Sequence, residues 1–148
     1  MNNRGVVDLR SDTVTKPSAE MRRAMADSVV GDDILDGDPT TRQLEAKVAE
    51  LCGKESALFF PSGTQTNQTA VWLHTQRGTE LLLEAEAHLV HYEMAGVAGL
   101  SGVQIRPVTT PDGVLTADLV KPMLRHGGHE PEYRALQIEV AQWLVRGS

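Results

Sequence analysis

The chain has 148 residues, 41% of them hydrophobic and only 4% aromatic, which suits one globular unit with a modest core and excludes a disordered or fibrous polymer. Twenty acidic residues against fourteen basic ones leave a formal net charge of −6, so a nucleic-acid backbone would be repelled and no nucleic-acid partner is expected. Cys52 stands alone, which rules out an internal disulfide framework or a cysteine zinc cluster; with no apolar stretch behind residues 1–4 and none of membrane-spanning length, a soluble, cytoplasmic setting without membrane contact is expected.

Val6, Val7 and Leu9 make a short extended entry, and the polar segment Ser11, Asp12, Thr13, Thr15 leads to Pro17. Pro17 predicts a helix start whose apolar face carries Met21 and Met25, and Gly31, Asp32 and Asp33 break that pattern. The next start is sharper. Asp38 is a good N-cap, Pro39 fits the first helical position, and Leu44, Val48 and Leu51 recur at helical spacing before Gly53 stops the run, so a helix is predicted over Pro39–Cys52.

Residues 57–60 read as a short buried strand, the loop Pro61, Ser62, Gly63, Thr64 follows, and a helix is predicted over 64–75. Arg77 and Gly78 turn the chain into a second strand, Glu80–Glu84, in which Leu81, Leu82 and Leu83 follow one another without alternation. Continuous apolar strands separated by helices argue for a mostly parallel sheet covered on both faces. A short helix over 92–99 and a strand over 103–108 continue the alternation; residues 110–113 are turn chemistry. Thr116 and Asp118 open a helix that Pro122 should kink or end. From His126, the run Gly127, Gly128, His129, Glu130, Pro131 reads as a linker, and Tyr133, Leu136, Val140, Trp143 and Leu144 predict a C-terminal amphipathic helix.

The loop at 61–64 carries the first chemical signal. A strand that hands over through Ser62, Gly63 and Thr64 to a helix start is an anion cradle: the first helical amides lack intrahelical partners, the helix dipole places partial positive charge there, and glycine lets the backbone close on a phosphate. The lysine and spacing of a nucleotide P-loop are missing. His88 follows the second strand and a small loop, so it should project from the carboxyl edge of the sheet, where open α/β sheets bind ligands. An imidazole there can lie on an aromatic ring and exchange a proton near neutral pH. His88 with His91 lacks the further ligands of a zinc site, and the acidic run Asp32, Asp33, Asp36, Asp38 does not fit a calcium loop, so no metal is expected.

Residues 7–16, 31–39, 54–64 and 88–96, taken in that order, resemble the amino-terminal part of low-specificity L-threonine aldolases, pyridoxal-phosphate enzymes of the aspartate-aminotransferase-like fold. The resemblance runs from about residue 6 to residue 125 and implies an α/β fold: an incomplete three-layer α/β/α of the pyridoxal-phosphate transferase type, with residues 1–125 as part of the large domain and 126–148 as a linker and helix outside the match. It implies that Ser62, Gly63 and Thr64 grip the phosphate of pyridoxal 5'-phosphate and that His88 is the ring-stacking, proton-moving residue. It places Ser11 on the substrate carboxylate and Tyr92, with Glu93, along the substrate side of the pocket. Ordinary readings remain beside these: a loop hydroxyl for Ser11, a turn and N-cap for 62–64.

Two departures stand out. Leu35 and Asp36 occupy positions where most of the family has tyrosine and glycine, so substrate preference is expected to differ. The lysines are Lys16, Lys47, Lys54 and Lys121, and none falls on the family's Schiff-base position. The expected function is therefore part of a lyase that cleaves threonine or a related β-hydroxy-α-amino acid to glycine and an aldehyde, with this chain alone showing no turnover. A β-eliminating lyase of the same fold, or a non-catalytic fragment that pairs with a full-length relative, are the alternatives. The resemblance also implies a homo-oligomer or a complementing chain. A truncation, a chimera and half of a split enzyme are equally compatible with the sequence.

Overall fold

The computed structural model describes residues 7–9, 11–124 and the pair Tyr133–Arg134. Contacts within the chain gather into two units, Met1–Phe60 and Pro61–Ser148. Each has its own local logic.

In the first unit, residues 7–9 take no regular structure and Asp12–Val14 form a single 3-10 turn. The first α-helix, α1, is Ala19–Ala26. Its N-cap is Ser18, whose hydroxyl accepts from the Met21 amide, so Pro17 lies just outside the helix rather than at its first position. The second helix, α2, spans Pro39–Cys52, as the spacing predicts. Asp38 Oδ1 accepts from the Thr41 amide at 2.7 Å while Oδ2 accepts from the Gly31 amide at 2.9 Å, so one carboxylate caps the helix and fastens the preceding loop. At the other end Gly53 is left-handed (φ 60°), and the amides of Gly53 and Lys54 close on the carbonyls of Glu50 and Ala49. Leu44, Val48 and Leu51 remain exposed, and Ala49 is the buried residue of this helix.

Residues 57–60 are not a strand. The Phe59 amide donates to Glu45 Oε1 at 2.7 Å, a side chain of α2, where a sheet ladder was expected. An extended apolar run becomes a strand only when a neighbouring strand takes its amides and carbonyls, and none does so among the described residues.

The second unit is built on a parallel sheet. α3 spans Gly63–His74, β1 Glu80–Glu84, α4 His88–His91, α5 Gly96–Gly99, β2 Gln104–Val108, α6 Ala117–Val120 and β3 Tyr133–Arg134, with spatial order β2-β1-β3. Leu82 pairs with Arg106 and Glu80 with Tyr133, so β1 is the central strand, and all five of its residues are buried. Leu81 and Leu83 point to one face and join Val71, Ala87, Leu89, Val97 and Val103 in the core. Each of those leucines contributes about 1.5–3 kcal/mol by leaving water. Glu80, Leu82 and Glu84 take the opposite face. There Arg106 Nη1 stands 3.7 Å from Glu80 and donates to the Met123 carbonyl at 2.8 Å, while Thr110 donates to Glu84 Oε1 at 2.9 Å.

Two further expectations need correction and a third, at Pro122, holds. Of the helix expected over 92–99 only the turn α5, Gly96–Gly99, forms, with α4 ending before it at His91, because Met94 and Ala95 take left-handed conformations that no helix continues through. Pro122 does end α6, which tightens into a 3-10 turn over Lys121–Met123. Tyr133 and Arg134 belong to β3 instead of the predicted amphipathic helix; the rest of that helix, and the linker before it, lie outside the described residues. Among the described residues no helix is long and apolar enough to cross a membrane, and no group of three metal-ligating side chains forms.

The amide donors of Thr41 and Gly31 hold the Asp38 carboxyl below its ordinary value of 3.8. A carboxyl so lowered stabilises the native state at pH above its unfolded value and loses that contribution as pH falls through the folded value. The thermal midpoint of wild type should therefore exceed that of Asp38→Asn at neutral pH, and the gap should close on acidification below 3.8. A gap that stays constant through that range would remove Asp38 as the source.

Candidate active site

The chemistry expected from the sequence meets in the second unit, at the carboxyl edge of β1. After Glu84 the chain turns sharply: the Glu86 amide donates to Glu84 Oε2 at 2.6 Å and the Ala87 amide to the Glu84 carbonyl at 3.0 Å. His88 then opens α4 just past the strand end. Its Nδ1 lies 2.8 Å from Glu93 Oε1, with the imidazole side chain 44% exposed and the Glu93 side chain wholly buried.

Glu93 is the residue that sequence reasoning undervalued. Asn67 Nδ2 donates to its Oε1 and Gln68 Nε2 to its Oε2, both at 2.7 Å, so α3 presents two amides to a carboxylate that also holds the histidine. The signal was faint in the sequence because the two amides are neighbours in α3, far from Glu93 along the chain, and the turn that follows Glu93 runs through left-handed Met94 and Ala95. The reversal is costly: Met94 has φ 53° and Ala95 φ 56°. Gly96 completes the arrangement. A Cβ at Gly96 would lie 2.7 Å from Gln68 Cδ and Oε1, so a side chain there would push Gln68 off Glu93. Gln68 Oε1 is itself buried without a hydrogen-bond partner among the described residues; turning the amide over would instead set oxygen against carboxylate.

Asn67 and Gln68 lie about one helical turn from the start of α3, so the same helix that holds Glu93 also carries the cradle. Ser62 is the N-cap, its hydroxyl accepting from the Gln65 amide at 3.2 Å. Gly63 and Thr64 supply the first helical amides, which no intrahelical carbonyl can take. No acidic residue lies in the first turn, and the space where a Cβ of Gly63 would project holds nothing within 4 Å. An anion therefore meets dipole and donors without a competing carboxylate.

Tyr92 is exposed, its ring 5.2 Å from that of His88 and tilted by 43°. His91 turns away from a metal role: its Nε2 lies 3.0 Å from the Ala85 carbonyl. Ser11 belongs to the first unit, where its hydroxyl accepts from the amide of Thr13 at 3.2 Å and caps the 3-10 turn. Leu35 and Asp36 are exposed in the turn before α2.

The family described as beta-eliminating lyase matches residues 8–147, a range that runs past residue 125 and takes in the C-terminal segment. The "Probable low-specificity L-threonine aldolase 2" of Arabidopsis thaliana is 43% identical over 141 residues, covering 92% of this chain and 40% of that protein. The "Low specificity L-threonine aldolase" of Escherichia coli (strain K12) is 45% identical over 116 residues, 78% of this chain and 35% of that one. A solved structure from Listeria monocytogenes EGD-E, named for an L-allo-threonine aldolase, superposes with a TM-score of 0.54 at 29% identity over 72% of this chain and 30% of its own. The chain thus spans well under half the length of these relatives.

Two substitutions probe the turn that positions Glu93. Gly96→Ala should destabilise the chain by about 1–3 kcal/mol, through overpacking and the loss of the Gln68 bond to a buried carboxylate. Ala95→Gly, which relieves a left-handed residue, should stabilise it by roughly 0.5–1 kcal/mol. Denaturant midpoints at unchanged slope measure both, and shifts of the opposite signs would show that the turn is not held as described.

Proposed function

The chain belongs to the beta-eliminating lyase family, and we propose that it forms the phosphate-gripping, histidine-bearing part of a pyridoxal-phosphate-dependent lyase that cleaves threonine or a related β-hydroxy-α-amino acid to glycine and an aldehyde. The single observation that supports this most is the sharing of α3: its first turn is an open anion cradle, and one turn later its amides hold the carboxylate that holds His88.

The residues present fit the cofactor. The amides of Gly63 and Thr64 and the hydroxyl of Thr64, with Ser62 beside them, would bind the phosphate dianion, where a glycine leaves the approach open and no carboxylate repels it. His88 has a ring plane fixed by its bond to Glu93, which is what stacking on a flat heteroaromatic ring requires. Bound there, pyridoxal phosphate supplies an electron sink for bond cleavage at the amino-acid Cα. His88 is the proton-handling group on this chain, and Tyr92, beside it, faces the substrate. The substrate-carboxylate role of Ser11 rests on the resemblance alone. A Schiff-base lysine would come from the part of the relatives' length that this chain does not span.

The family's description keeps a second reading in play, β-elimination at the same cofactor. Both readings share the cradle, so the first experiment addresses the cradle. Titration calorimetry with 4'-deoxypyridoxine 5'-phosphate, which lacks the aldehyde and needs no lysine, should show binding at least about tenfold tighter than its unphosphorylated counterpart, a difference of ~1.4 kcal/mol. Thr64→Val, which removes one hydroxyl and leaves the amides in place, should narrow that difference without abolishing it. Equal affinities for the two compounds, or no binding of either, would overturn the assignment.

A further inference from the structure

The binding roles above use His88 and leave unexplained why a carboxylate is buried against it. Glu93 has no exposed side-chain surface; Asn67 Nδ2 donates to its Oε1 and Gln68 Nε2 to its Oε2, and His88 Nδ1 lies 2.8 Å from Oε1. Two amide donors on a buried carboxyl favour its ionised form, which can meet Nδ1 only as an acceptor. We propose that Glu93 is a positioning residue that holds His88 as the Nδ1–H tautomer and so makes Nε2 the acceptor nitrogen of the ring.

The argument is one of hydrogen-bond inventory. A carboxylate only accepts, so a nitrogen 2.8 Å from its oxygen carries the proton. A neutral imidazole has one proton between two nitrogens, so Nε2 then holds the lone pair. Neutral histidine in water favours the opposite arrangement, with the proton on Nε2. The preference is therefore reversed by Glu93, and Glu93 is itself fixed from behind by α3, whose Gln68 can reach it because residue 96 has no side chain. An unprotonated Nε2 can take a proton, whereas an Nε2–H could only give one. The use made of that nitrogen rests on the proposed function; the tautomer belongs to the ligand-free chain.

Long-range proton–nitrogen correlation spectra of the nitrogen-15-labelled chain, at a pH where imidazoles are neutral, read the tautomer directly, with His88 assigned by its loss in His88→Gln. The expected result is a protonated Nδ1 and an unprotonated Nε2. Glu93→Leu should lose that signature and return His88 to the Nε2–H form. Glu93→Gln, whose amide oxygen accepts from Nδ1–H while Gln68 turns its orphaned oxygen toward the new amide, should keep it. A merely space-filling role for residue 93 would give the same tautomer in both variants. A proton on Nε2 in the wild type, or an Nδ1–H that survives in Glu93→Leu, overturns the proposal. If Glu93→Leu does not fold, the wild-type and Glu93→Gln spectra decide, and Nε2–H in either is fatal. A failed deoxypyridoxine phosphate titration with an intact Nδ1–H signature would remove the cofactor reading and leave this one standing.

Discussion

A carboxylate with no contact with water must be surrounded by donors or the fold pays several kcal/mol for its desolvation. Glu93 meets that demand with three side chains drawn from two stretches of the unit, Asn67 and Gln68 from α3 and His88 from the edge of β1. The constraint runs outward from there. Satisfying it requires a chain reversal through two left-handed residues, a glycine at 96, and an α3 whose polar face turns toward the sheet edge rather than toward solvent. Asn67 and Gln68, polar residues in the body of α3, are thereby accounted for by a buried acid.

The core serves the same geometry from below. Leu81 and Leu83 anchor β1 against Val71 of α3 and Val97 of α5, which fixes the distance between the helix that carries the cradle and the strand that delivers His88. On the other face Glu84 is pinned by Thr110 and by the Glu86 amide, so the strand ends in a tight turn and His88 emerges at one defined point. A buried glutamate at the last strand position is unusual in a core strand, and here its second oxygen shapes the turn that leads to the site.

What could be read in the sequence follows from how local its cause was. Pro39–Cys52 was legible to the residue because its start, its stop and its spacing are all encoded within the segment, by Asp38, Gly53 and the leucine–valine repeat. Glu80–Glu84 was equally plain as an unbroken apolar run. Residues 57–60 are also a continuous apolar run and do not form a strand, since a strand depends on a neighbour that no local pattern announces. The break at Met94 and Ala95 escaped notice for the opposite reason: neither residue type favours a left-handed conformation, so only tertiary demand explains it. The cradle and His88 were visible as residue types at element ends. Glu93 was legible only through the resemblance, as a residue on the substrate side of the pocket, because its partners Asn67 and Gln68 lie twenty-six and twenty-five positions away.

The site divides its labour between backbone and side chain, and the division bears on specificity. What the start of α3 offers an anion is largely amides and a dipole, features that survive most substitutions. The histidine is different: its plane and its proton depend on a particular acid, two particular amides and a missing side chain at 96. Neither part chooses an amino-acid substrate. Tyr92, exposed beside His88, stands outside both parts. The start of α3 needs no particular side chain for its amides to stay open, whereas the network around His88 is fixed by the cost of leaving Glu93 unsatisfied.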